Sequence, residues 1–79
     1  MKNPKGVREF GFHVRRLREA RDLSQQELAD LSDVSKRTII RIENCQIKPN
    51  FDIMISLSKA MDITLKELVD FSLPKEKKK

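Results

Sequence analysis

Seventy-nine residues with a formal charge of +5 and an isoelectric point near 9.7 fit one small domain, since chains use about 100–200 residues per domain. A chain of this size buries only about 60% of its unfolded surface, too little for a deep catalytic cleft with its supporting shell, and its positive charge points to a polyanionic partner. A single cysteine, Cys45, excludes an internal disulfide, and four Phe without Trp or Tyr leave few platforms for stacking unpaired bases.

The first six residues, MKNPKG, lack the apolar run of a secretory signal, and no stretch approaches the ~18 apolar residues of a membrane span. The expected location is the cytoplasm, with no membrane partner. Apolar residues recur at helical spacing along the whole chain, and no window alternates with the period of a strand. Val7, Phe10, Val14 and Leu17 make one stripe, which predicts a first helix over 5–21 with Asn3-Pro4 as its cap. Gly6 and Gly11 weaken that helix.

In LSQQEL, Ser24 caps a second helix over 25–31, Glu27 closes a capping box, and Leu23 with Leu28 forms a hydrophobic staple. In VSKRTI, Ser35 caps a third helix over 36–44 and Val34 staples to Ile39, although Thr38 stands where the box has Glu. Asn50, after Pro49, opens a fourth helix over 51–61. In ITLKEL, Thr64, Glu67, Ile63 and Leu68 repeat the box and staple and open a fifth over 65–71. The prediction is an all-α domain of five short helices over 1–73, followed by a basic, disordered tail over 74–79, PKEKKK.

The third helix has two chemical faces. With Lys36 at 0° and steps of 100°, Ile39 and Ile42 fall near 300° and 240°. Lys36, Arg37, Ile40, Arg41 and Asn44 fall between about 0° and 140°, away from that apolar seam. Ser24 and Ser35 are eleven positions apart, with Ser32-Asp33-Val34 as the turn between two helices. That is the geometry of a helix-turn-helix, whose second helix enters the DNA major groove. Arg and Lys there bond guanine O6 and N7, and an apolar side chain such as Ile40 meets the thymine methyl.

LSQQELA, VSKRTIIRIE, a helix started after Pro49 and LSKAMDITLKEL follow one another at fixed spacing. Over about Phe10 to Leu73 this order resembles the Cro/phage-repressor (XRE-type) helix-turn-helix family. The resemblance implies a compact five-helix lambda-repressor-like fold that binds operator DNA, usually as a dimer. By position it implies that Lys36, Arg37 and Arg41 read bases. It implies phosphate contacts from Gln25 and Ser35 on one side, and from Asn44, Lys48 and the backbone amides at Asn50 and Phe51 on the other. The last of these has independent support, because a helix N-terminus presents open N–H groups to an anion. The resemblance further implies an ion pair between Arg18 and Glu43. Asp33, Cys45 and Asp62 stand where the family commonly has glycine, so Cys45 is expected to strain the end of the third helix or to end it differently. Ile40 stands where small or polar residues are usual.

Ile63, Leu65, Leu68, Val69, Phe71 and Leu73 outnumber what one face of a short helix needs, so some of them, the first five being the candidates, are expected to cover a second subunit; the plainer alternative is that they close the monomer core. His13 has no second His beside it, so neither a metal site nor a cofactor is expected, and it is read as a surface residue. Arg15, Arg16 and Arg21 are read as a solvated face. Nothing sets a nucleophile beside an ordered base, so the chain is not expected to be an enzyme. The resulting expectation is a cytoplasmic, nucleoid-associated, sequence-specific regulator of bacterial or phage type that binds double-stranded DNA as a homodimer. An antitoxin or protein-interaction module with a protein partner is the alternative.

Overall fold

The amide of Glu27 donates to Ser24 Oγ (3.0 Å), that of Thr38 to Ser35 Oγ (3.1 Å), that of Ile53 to Asn50 Oδ1 (2.8 Å) and that of Glu67 to Thr64 Oγ1 (3.0 Å). Each bond satisfies one orphan donor at a helix start. At Ser24 and Thr64 the carboxylate three residues on accepts the cap's own N–H, at 2.7 and 2.9 Å, so both capping boxes are closed. The Glu67 carboxyl is held below its usual range, first by the Thr64 N–H and then by the Thr64 hydroxyl. In a computed structural model these caps open α2 (Gln25–Ser32), α3 (Lys36–Glu43), α4 (Phe51–Ala60) and α5 (Leu65–Val69), after α1 (Pro4–Ala20). The backbone is described for residues 4–70 and side chains for 9–70, with no strand among them. Asn3, the Val7 side chain, Phe71 and the tail 74–79 lie outside the described residues.

The first four helices end alike. Asp22, Asp33, Cys45 and Asp62 take left-handed φ values of 56°, 59°, 63° and 57°. The next residue's N–H then reaches back five positions: Leu23 to Arg18 O, Val34 to Ala29 O, Gln46 to Arg41 O and Ile63 to Ser58 O, at 2.8–3.2 Å. Cys45 therefore closes α3 as aspartate closes the others, and the expectation of a different ending is not met. Asp tolerates this conformation, whereas for other side chains it costs roughly 1–2 kcal/mol. Cys45→Gly is accordingly expected to raise stability by about 0.5–1 kcal/mol, the strain relief being partly offset by the freer unfolded chain. The measurement is a denaturation midpoint at unchanged m-value; an unaltered or lower midpoint would show that the thiol's packing outweighs the strain.

Leu23, Val34 and Ile63 pack against the core from these corners. Each closes one helix and staples the next, so Asp-Leu-Ser, Asp-Val-Ser and Asp-Ile-Thr are three copies of one corner. The corners fold five amphipathic helices around Phe10 and Val14 of α1, Leu28 and Ala29 of α2, Ile39 and Ile42 of α3, Leu57 and Met61 at the end of α4, and Leu68 of α5. Helix α1 packs on α3 and α5, α2 on α3 and α4, and α4 on α5. Leu68 is thus a fully buried residue of the monomer core, as the plainer of the two expectations has it. Of the other candidates on α5 and its approach, Ile63 and Leu65 are half-buried and Val69 is exposed.

Candidate nucleic-acid interface

The α2–corner–α3 unit sets the site. Val34 anchors the corner, Ser35 starts α3, and α3 rests on the core through Ile39 and Ile42, both with no accessible surface. Lys36, Arg37, Arg41 and Asn44 are exposed, while Thr38 and Ile40 are half-buried. The one acid in KRTIIRIE, Glu43, is 5% exposed and turned to the interior. The outward face of α3 therefore carries three cations and no carboxylate.

Glu43 is held by α1. Arg18 Nε donates to its Oε2 at 2.6 Å and Nη2 to its Oε1 at 3.0 Å, while Nη1 donates to the Leu23 carbonyl at 2.6 Å. The Arg18 pKa is raised above its usual value, chiefly by the hydrogen bond to Glu43, with burial acting the other way. Gln25 Nε2 also donates to Glu43 Oε1, at 3.2 Å. One buried carboxylate thus ties the starts of the corner and of α2 to the end of α3.

The proposed phosphate contacts flank this face without forming one surface of free donors. Gln25 is half-buried and engaged with Glu43. Ser35 is exposed, but its hydroxyl accepts the Thr38 N–H and bonds Thr38 Oγ1 at 2.9 Å. Asn44 caps the end of α3, its own N–H donating to Ile40 O at 2.9 Å. Lys48 is exposed between half-buried Ile47 and buried Pro49, which hold the loop. Asn50 is exposed at the cap of α4, and Phe51 is 59% exposed in its first turn. Asp52, in the same turn, opposes an anion at those amides.

Two residues read as surface have structural partners. His13 is half-buried, and its Nε2 bonds the Glu67 carbonyl at 3.0 Å, linking α1 to α5; a carbonyl only accepts, so Nε2 carries the proton in this contact. Arg21 Nε donates to the Met61 carbonyl (2.8 Å) and Nη1 to the Leu17 carbonyl (3.0 Å), covering the ends of α4 and α1. Arg15 pairs with Glu19 at 3.1 Å on the surface, where such a pair contributes little. Among the described residues no helix is long and apolar enough to cross a membrane, and no group of three or more His, Cys, Asp or Glu could hold a metal.

A helix-turn-helix family model matches residues 14–68, from the middle of α1 to α5. The chain belongs to the XRE-type helix-turn-helix family. As a member of that family it is a DNA-binding transcriptional regulator. Among solved structures it is similar to the restriction-modification controller protein C.AhdI from Aeromonas hydrophila, at 34% identity and a TM-score of 0.77, over 78% of this chain and 94% of that one. It also shares its fold with the clp gene regulator ClgR from C. glutamicum, at 16% identity and a TM-score of 0.79, over 94% and 96% of the two chains. The comparison with curated proteins gives no match.

Proposed function

We propose that this XRE-type protein occupies a palindromic operator as a homodimer, with α3 of each subunit in the major groove. The observation that carries the reading is the division of α3 into a seam of Ile39 and Ile42 and an exposed face of Lys36, Arg37 and Arg41, from which the only acid has been removed by burial. Lys36, Arg37 and Arg41 read guanine edges, and Ile40 meets a thymine methyl. Gln25, Ser35, Asn44, Lys48 and the amides at Asn50 and Phe51 hold the backbone on either side, fixing register without reading sequence. The second subunit packs on exposed Val69 with half-buried Ile63 and Leu65, spacing two half-sites about one helical turn apart. The 34% identity to C.AhdI over 94% of its length supports a controller role beside a restriction–modification gene pair. Binding blocks or recruits polymerase by occupancy.

Selection of bound sequences from random duplexes, followed by footprinting, tests this directly. A palindrome with half-sites about one turn apart is expected, and absence of enrichment at low salt would sink the reading. On the selected site, Arg37→Ala and Arg41→Ala are each expected to lose about 1–3 kcal/mol of discrimination at one base position. Full operator affinity in both variants would place the groove contact elsewhere.

A further inference from the structure

Gly11 lies inside α1, where glycine is disfavoured by about 1 kcal/mol against alanine. No glycine among the described residues has a positive φ, so backbone freedom does not account for it. Space does. A Cβ on Gly11 would stand 2.5 Å from the Ile42 carbonyl oxygen, 2.8 Å from Cys45 Sγ and 3.3 Å from the Glu43 carbonyl oxygen. The last turn of α3 therefore sits directly on the backbone of α1. A helix carbonyl has no rotamer with which to yield.

Arg18 lies about two turns along the same face of α1 and takes the Glu43 side chain. The last turn of α3 is thus held at two separated points: a polar clamp at Arg18 and a bare backbone seat at Gly11. Arg41 and Asn44 flank Ile42 and Glu43 in sequence and point the other way, into solvent. Lys36 and Arg37 sit a turn nearer the Ser35 cap. Ordinary contact begins near 3.4 Å, so a methyl on Gly11 requires α1 and the carboxyl end of α3 to part by about 1 Å. That is enough to take a side chain fixed to that end out of hydrogen-bonding range, which spans only about 2.7–3.2 Å.

We propose that Gly11 is a positioning residue for DNA recognition: its missing side chain sets how far the carboxyl end of α3 stands off α1, and so sets the reach of Arg41. The proposal rests on α3 being the groove helix. It predicts an effect graded along α3, strong at the base position read by Arg41 and weak at the one read by Lys36.

The test compares Gly11→Ala alone and in a Cys45→Gly background. The second substitution removes the Sγ contact and the left-handed strain while leaving the Ile42 carbonyl in place. Both are assayed at a temperature where circular dichroism shows them folded, against the selected operator, its single-base variants and unrelated duplex. Operator affinity is expected to fall on the order of tenfold, as for one bidentate contact. The loss should fall at the positions that respond to Arg41→Ala and spare those that respond to Lys36→Ala, with unrelated DNA bound as before. An equal fall at every position and on unrelated DNA, or no fall at all, overturns the proposal. So does failure of both variants to fold, because the residue then serves the core alone. Arg41→Ala separates the two levels: if it alters base preference while the Gly11 variants do not, the seat is wrong; if it too changes nothing, the groove assignment is wrong.

Discussion

Glu43→Ala is expected to lower folding stability by about 3–5 kcal/mol, the usual result of removing one partner from a buried ion pair. The cause lies less in the bond lost than in the charge left behind. Arg18 is buried and keeps its bond to the Leu23 carbonyl and a distant ion pair, at 4.0 Å, with half-exposed Glu19 once Glu43 is gone, and the Gln25 amide loses its acceptor as well. At about 0.05–0.15 kcal/mol per residue, such a loss removes much of the stability of so small a domain. Glu43→Gln retains an acceptor and should fall between the variant and the parent. Replacing Arg18 and Glu43 together by methionine is expected to recover most of the loss, since buried pairs exchange for apolar residues at little net change. Urea denaturation of the four proteins compares them on one scale. A loss below about 1 kcal/mol for Glu43→Ala would mean that water reaches the guanidinium and the pair is no more than a surface contact.

The second large effect separates two adjacent isoleucines. Ile39→Ala is expected to cost about 2–5 kcal/mol, because Ile39 has no accessible surface and its truncation leaves a cavity in the core. Ile40→Ala should cost well under half as much, since the side chain is only half-buried and its loss opens no enclosed void. The order reverses in DNA binding once each protein is folded. Ile40→Ala should lose affinity only for operators with thymine at one position, whereas Ile39→Ala should bind normally. Equal destabilisation by the two would show that α3 is rolled from its described orientation. A uniform loss of affinity in Ile40→Ala would point to packing instead of a methyl contact.

Helix starts were legible in the sequence and helix ends much less so. Ser24, Ser35, Asn50 and Thr64 bond an amide three residues ahead, so each carries its signal within one turn. Asp22 takes the same left-handed corner as Asp33 and Asp62, but only the repeated Asp-apolar-Ser/Thr triplet betrays it, and that pattern gains its meaning once the φ values are known. The two faces of α3 followed from periodicity alone. The placements that eluded the sequence all depend on partners far along the chain. His13 meets Glu67, Arg21 meets Met61, and Gly11 meets Ile42. Leu68 likewise could have faced either a partner subunit or the core, because a five-residue helix has too few positions to define a stripe. No spacing rule within one helix reports on such contacts, and the one at Gly11 bears on how α3 is held.

The triplet corners also bear on time. Three reversals of the chain are each specified by residues within a few positions of one another, so little entropy is spent closing long loops before the core can form. Helical domains built this way fold in about microseconds to milliseconds, whereas a ribosome adding roughly 5–20 residues per second takes seconds to make a stretch of this length. Folding therefore adds no appreciable delay to the seconds that synthesis of the chain takes.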